Sequence, residues 1–200
     1  MLQACRPCCS CHRSRNRIFV AKVLASAEIE KTLRVSSSGS NQRVASRRAS
    51  QPDPHSPEQR RLNMSRIRSR DTKPELQLRR ALHAVGFRYR LHDKSLPGTP
   101  DMVLPGRQAV IFVHGCFWHG HDCPLGVTPA TRIEFWENKI SRNRERDAAA
   151  EAILVASGWR VLTVWECAMR GRNRLGLDVV VFEAAAFLQS DDSQCEIRSR

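Results

Sequence analysis

Ala109-Val110-Ile111-Phe112-Val113 is an uninterrupted apolar run, and it limits the possible folds more than any other stretch of the chain. A strand that buries one face alternates apolar with polar residues; a run with no polar position needs cover on both faces. A central strand with helices on either side of its sheet meets that need. The run leads directly into His114-Gly115-Cys116-Phe117-Trp118-His119-Gly120-His121-Asp122-Cys123. Two thiols, three imidazoles, a carboxylate and two large aromatics in ten residues read as chemistry rather than core, and the strand delivers them at its end.

The flanking pattern supplies the other layers. Thr72-Lys73-Pro74-Glu75 is a capping-box signature, so a helix follows, with Leu76, Leu78, Ala81, Leu82 and Val85 on its apolar face and Gly86 ending it. Phe87 to Leu91 reads as a strand, Asp93 to Pro100 as a turn-rich link, Asp101 to Leu104 as a second strand and Pro105-Gly106-Arg107 as a hairpin turn. Thr131-Arg132-Ile133-Glu134 repeats the capping-box pattern and opens a long helix to about Ser157, which Gly158 closes. Trp159 to Trp165 is a further strand with Glu166-Cys167 at its end, and Asp178 to Leu188 is a final helix. The order α-β-β-β-α-β predicts an α/β sandwich with helices on both sheet faces.

Charge says what such a domain meets. The chain of 200 residues carries a formal +13, which points to a polyanionic partner. Residues 1–57 hold ten Lys/Arg against three acidic residues, leaving +7 there and +6 on the remainder. That segment is rich in Ser and Pro and poor in apolar surface, so it is expected to be a disordered basic extension. Met64 lies near where order should begin, which also allows the segment to be an upstream extension of the reading frame. Within it, Cys5, Cys8, Cys9, Cys11 and His12 resemble half of a zinc module. No apolar run reaches the roughly 20 residues that span a bilayer, so no membrane role is expected. The expected setting is a reducing cytoplasm, where clustered cysteines hold metal more often than disulfides.

Cys116, His121 and Cys123, joined by Cys167, make a tetrahedral zinc set with no exchangeable position, hence a structural site; His119 and Asp122 are spare donors that could replace one ligand. Asp101 at a strand start, Glu75 on the preceding helix and His114 on the next strand suit a hard cation such as magnesium, with Asp101 ligating directly beside a backbone carbonyl. His114 or His119 could then activate water or protonate a leaving group. Phe117, Trp118 and Trp136 stand among Arg132, Lys139, Arg142, Arg144 and Arg146, a combination suited to wedging into nucleic acid.

From about Asn63 to Leu175 the chain resembles the very short patch repair (Vsr) endonucleases. The resemblance rests on Asn63-Met64, Arg70-Asp71-Thr72, Glu75, Ser95-Leu96-Pro97-Gly98, Pro100-Asp101, His114 to His119, Pro129 to Arg132, Glu134-Phe135-Trp136, Glu145-Arg146-Asp147, Gly158 to Leu162 and Val164 to Ala168. It implies a restriction-endonuclease-like three-layer sandwich with a mixed central sheet, and a nick 5′ to the thymine of a T·G mismatch left by deaminated 5-methylcytosine. It further implies magnesium on Asp101 and the Val113 main-chain carbonyl, and His119 as general base oriented by Asp147. His114 and Glu75 would complete the catalytic shell, and Cys116, His121, Cys123 and Cys167 would hold zinc. Phe117, Trp118 and Trp136 would enter the duplex from the major groove, with Met64 on the minor-groove side. Relatives carry threonine where Val113 stands, and histidines where Gly120 and Asp122 stand. The implied domain spans 58–190, with 191–200 a flexible tail. The implied protein is a bacterial, nucleoid-associated monomer acting on T·G-containing duplex DNA with repair-system partners. Two rival readings fit the same residues: a zinc-stabilised DNA-binding module without catalysis, and a restriction-type nuclease acting on undamaged DNA.

Overall fold

The computed structural model describes residues 56–66 and 69–199. The expected extension, with Cys5, Cys8, Cys9, Cys11 and His12, lies outside them apart from its last two residues. Ser56 caps helix α1 (Pro57–Ser65), its Oγ accepting the Gln59 N–H at 3.2 Å, with proline in the first turn. Helix α2 (Lys73–Ala84) opens with the expected capping box, and the Thr72 N–H donates to Glu75 Oε2 at 3.3 Å. Then come β1 (Arg90–Leu91), β2 (Met102–Leu104), a 3₁₀ turn (Pro105–Arg107), β3 (Ala109–His114), the long α3 (Ile133–Ala156), β4 (Arg160–Trp165), the single-turn α4 (Glu166–Met169), α5 (Leu177–Gln189) and β5 (Gln194–Ile197).

The strands form one sheet in the order β1-β2-β3-β4-β5, antiparallel from β1 to β3 and parallel from β3 to β5. This is the mixed-sheet α/β sandwich of the restriction-endonuclease-like type. β3 is central, paired with β4 along its whole length and with β2 over Ala109–Ile111, and its apolar run meets cover on both faces of the sheet. Val103, Val110 and Val161 meet Leu154 of α3 in one buried cluster, with Phe112 and Trp159 at its margin. By strand alternation Ala109, Ile111, Leu162 and Val164, all buried, face the other way. α2 and α5 pack on each other, and Leu78 and Leu82 of α2 and Val180, Ala184 and Leu188 of α5 are buried. Among the described residues no helix is long and apolar enough to cross a membrane.

Four expectations change. The strand expected over Phe87–Leu91 shortens to Arg90–Leu91, because Phe87 is drawn into the core and the Tyr89 hydroxyl donates to the Arg79 carbonyl at 2.7 Å. The second capping box does not form. Arg132, with φ 55°, stands at the cap and α3 starts at Ile133, with the Arg132 guanidinium over the Phe135 ring at 4.4 Å. Helix α1 was not anticipated, although Ser56-Pro57-Glu58-Gln59 is a legible start signal. Finally, the expected flexible tail carries a strand: Gln194–Ile197 pair in parallel with β4, and Ile197 is 1% exposed. A short strand with only one buried apolar side chain leaves little periodicity to read.

Candidate active site

The ends of β3 and β4 carry two groups of side chains side by side. The hairpin between β2 and β3 sets Asp101 against the end of β3, where its Oδ2 accepts the Val113 N–H at 2.7 Å. β3 ends at His114. A tight turn, with the Trp118 and His119 N–H groups donating to the Gly115 carbonyl at 3.1 and 3.2 Å, folds His119 back over it. The two imidazoles stack with centroids 3.9 Å apart and planes within 2°. From α3, Asp147 Oδ2 lies 2.5 Å from His119 Nδ1, and one turn earlier the Asn143 amide donates to the Trp118 carbonyl at 2.9 Å, clamping the loop. Asp101, His114, His119 and Asp147 line one cleft of about 200 Å³. A neighbouring cleft of about 490 Å³ shares His114 and His119 and is bounded by Met64, Trp118, Lys139 and Asn143.

The electrostatics separate these groups. Burial pushes the Asp101 pKa up to about 7 against the pull of the Val113 N–H, and the Glu75 charge adds to the rise. A carboxylate left so poorly compensated fits a hard cation. Burial, helped by neighbouring His119, lowers His114 to about 3, leaving it a neutral imidazole at physiological pH. For Asp147 burial acts upward, but the hydrogen bond and charge of His119 outweigh it and hold the carboxylate below its usual range.

Glu75 stands back from this cleft. It is 2% exposed, its Oε1 takes the Arg79 guanidinium at 2.7 Å, and His92 Nε2 lies 3.2 Å from the same oxygen. His92 Nδ1 is 3.9 Å from Asp101 Oδ1, so an imidazole separates the two carboxylates. Nothing in the sequence singled out His92, which sits in a polar turn at φ 47°.

The second group is sulfur and nitrogen. One donor atom from each of Cys116, His121, Cys123 and Cys167 lies within 4.8 Å of the others. Cys167 Sγ and His121 Nδ1 are 3.6 Å apart, the separation expected of two ligands sharing a tetrahedral zinc with bonds of about 2.3 and 2.1 Å. The donor set therefore fits that ion. His119 and Asp122 do not belong to this group, and His119 is committed to Asp147. The loop closes tightly: a Cβ on Gly126 would meet the His121 carbonyl oxygen at 1.9 Å, so only glycine fits there. Beside the larger cleft, Phe117, Trp118 and Trp136 form an edge-to-face cluster with centroids 4.9 to 6.2 Å apart. Met64, 38% exposed on α1, lines the same cleft as Trp118.

A part-buried carboxylate, a histidine–aspartate pair and a neutral imidazole at one end of a restriction-endonuclease-like sheet are groups able to hold a cation and move a proton beside a phosphate. Residues 52–125 match the family model for the DNA mismatch endonuclease Vsr. The chain is 50% identical over 123 residues to the DNA mismatch endonuclease Vsr of Escherichia coli (strain K12), covering 62% of this chain and 79% of that protein. It is 55% identical over 112 residues to the type II nicking enzyme V.XorIIP of Xanthomonas oryzae pv. oryzae, covering 56% and 82%. It is also 45% identical over 109 residues to the type II nicking enzyme V.NmeAIP of Neisseria meningitidis, covering 54% and 78%. The chain belongs to the Vsr endonuclease family.

Proposed function

We propose that this protein nicks one strand of duplex DNA 5′ to the thymine of a T·G mismatch, the product of 5-methylcytosine deamination, and so starts very short patch repair. The observation that carries this reading is the convergence of Asp101, His114, His119 and Asp147 on one cleft. Asp101 and the Val113 main-chain carbonyl would hold magnesium, which when bound supplies positive charge to the phosphate as charge develops in hydrolysis. With His119 Nδ1–H donating to Asp147, its Nε2 keeps a free lone pair and takes the proton of the attacking water. His114, neutral and stacked on His119, supports that ring and offers a hydrogen bond rather than a proton. Glu75 acts from behind, its charge reaching Asp101 past His92. Cys116, His121, Cys123 and Cys167 hold a structural zinc that closes the loop bearing Phe117, Trp118 and His119.

Two outcomes follow at the site. Asp147→Asn is expected to lower kcat by about 10²-fold or more, because an amide no longer enforces the Nδ1–H tautomer of His119. Single-turnover cleavage measures it, and an unchanged rate would remove His119 as the base. Trp118→Ala is expected to cost about 10- to 100-fold in the preference for a T·G over a matched duplex, the worth of one stacked base. Competition cleavage of the two duplexes reads this directly.

A second reading, a restriction-type nuclease acting on undamaged DNA, is raised by the relatives named type II nicking enzymes. Matched and T·G duplexes in one sequence context, with magnesium, separate the readings. Equal cleavage supports the second, and binding without cleavage of either supports a DNA-binding module.

A further inference from the structure

We propose that Trp165 is a positioning residue through which the zinc site sets the orientation of the His114–His119 pair. The inference rests on the functional reading above. Its basis is register: β3 and β4 run in parallel with His114 and Trp165 as direct partners, so the indole lies beside the imidazole on the same edge. The ring contacts both centres. It stacks on the zinc-site imidazole of His121, centroids 4.2 Å apart and planes 26° apart. It meets His114 edge-on at 5.3 Å and His119 at 6.4 Å.

The indole is itself held. Its Nε1–H donates to the Glu196 carboxylate on β5, which opposes rotation of the indole about its own bonds. Two residues on, Cys167 Sγ faces His121 Nδ1. A turn of the His121 ring, as on loss of one zinc ligand, therefore presses on an indole that also meets His114 and His119. The zinc site then does more than close a loop. It sets the tilt of the pair to which His119 owes its placement, and a misplacement near 1 Å in such a pair costs on the order of 10²-fold in rate.

The test uses the full chain, zinc-loaded, as Trp165→Leu, Trp165→Phe and Glu196→Ala. For Trp165→Leu the expected result is a kcat on a T·G duplex about 10²-fold lower with KM within about threefold. Its cobalt-substituted form should show shifted visible absorption bands, because His121 has lost its stacking partner. Trp165→Phe, which restores a flat ring, should recover about 10-fold of that loss. If the leucine variant does not fold, Glu196→Ala, at an exposed position, should lower kcat about threefold or more at unchanged KM and unchanged Tm. A folded leucine variant with wild-type kcat, a loss confined to KM, or no rescue by phenylalanine overturns the proposal. A wild-type protein that cuts no duplex instead overturns the functional reading. In that case unshifted cobalt bands in the leucine variant would also refute contact between Trp165 and the metal site.

Discussion

Asp101→Ala is expected to lower strand cleavage of a T·G duplex by about 10³-fold or more, because a bound cation contributes several kcal/mol to stabilising the reacting phosphate and each 1.4 kcal/mol is tenfold in rate. Binding should stay within about threefold, since Trp118, Met64, Lys139 and Asn143 line a neighbouring cleft that does not include Asp101. Cleavage and gel-shift titrations on the same duplex check both halves, and a variant that still cuts would remove Asp101 as the metal-holding group. The raised pKa adds a direction. Asp101 in the metal-free protein is half protonated near pH 7, so protons compete with the cation and the apparent magnesium affinity should rise between pH 6 and pH 8. Magnesium titrations at the two pH values measure it; an affinity flat with pH would place the ion elsewhere.

Cys167→Ser should have the largest effect on stability. Cys167 is 3% exposed and joins the end of β4 to the loop that carries Cys116, His121 and Cys123. Structural zinc sites contribute folding free energy outright. The loss of one thiolate, at roughly 4 kcal/mol and about 3 °C per kcal/mol for a domain of this size, should lower Tm by about 10 °C. Chelator added to the wild-type protein should move Tm the same way, and melting with and without chelator checks it. A wild-type Tm indifferent to chelator would mean that the four donors pack as ordinary buried groups.

The residue types behind both metal predictions are visible in the sequence, and the family resemblance joins Asp101 and Cys167 to the groups they serve. Ala109–Val113 is apolar because both of its faces are covered, and the reactive groups begin where that run stops, at His114 and Cys116. Thr72 and Glu75 announce α2 because capping is a contact within four residues. What escaped was set by distant neighbours. His92 acquires meaning only where a turn at positive φ places it between Glu75 and Asp101. Trp165 matters because strand register puts it beside His114, and β5 exists because β4 offers it an edge. Glu75 shows the opposite limit. Its cap role was legible, but its Arg79 and His92 partners, which set it behind the cleft, belong to packing and not to spacing.

The cleft shared by Asp101, His114, His119 and Asp147 is proposed to cut next to a mismatch. Strand-resolved cleavage by the full chain, with magnesium, of one duplex carrying T·G and of its matched counterpart tests this most directly. The expected result is a single nick on the thymine strand, 5′ to the mismatched thymine, with little or no cleavage of the matched duplex. Cleavage of both duplexes at equal rates, or of the guanine strand, would contradict it.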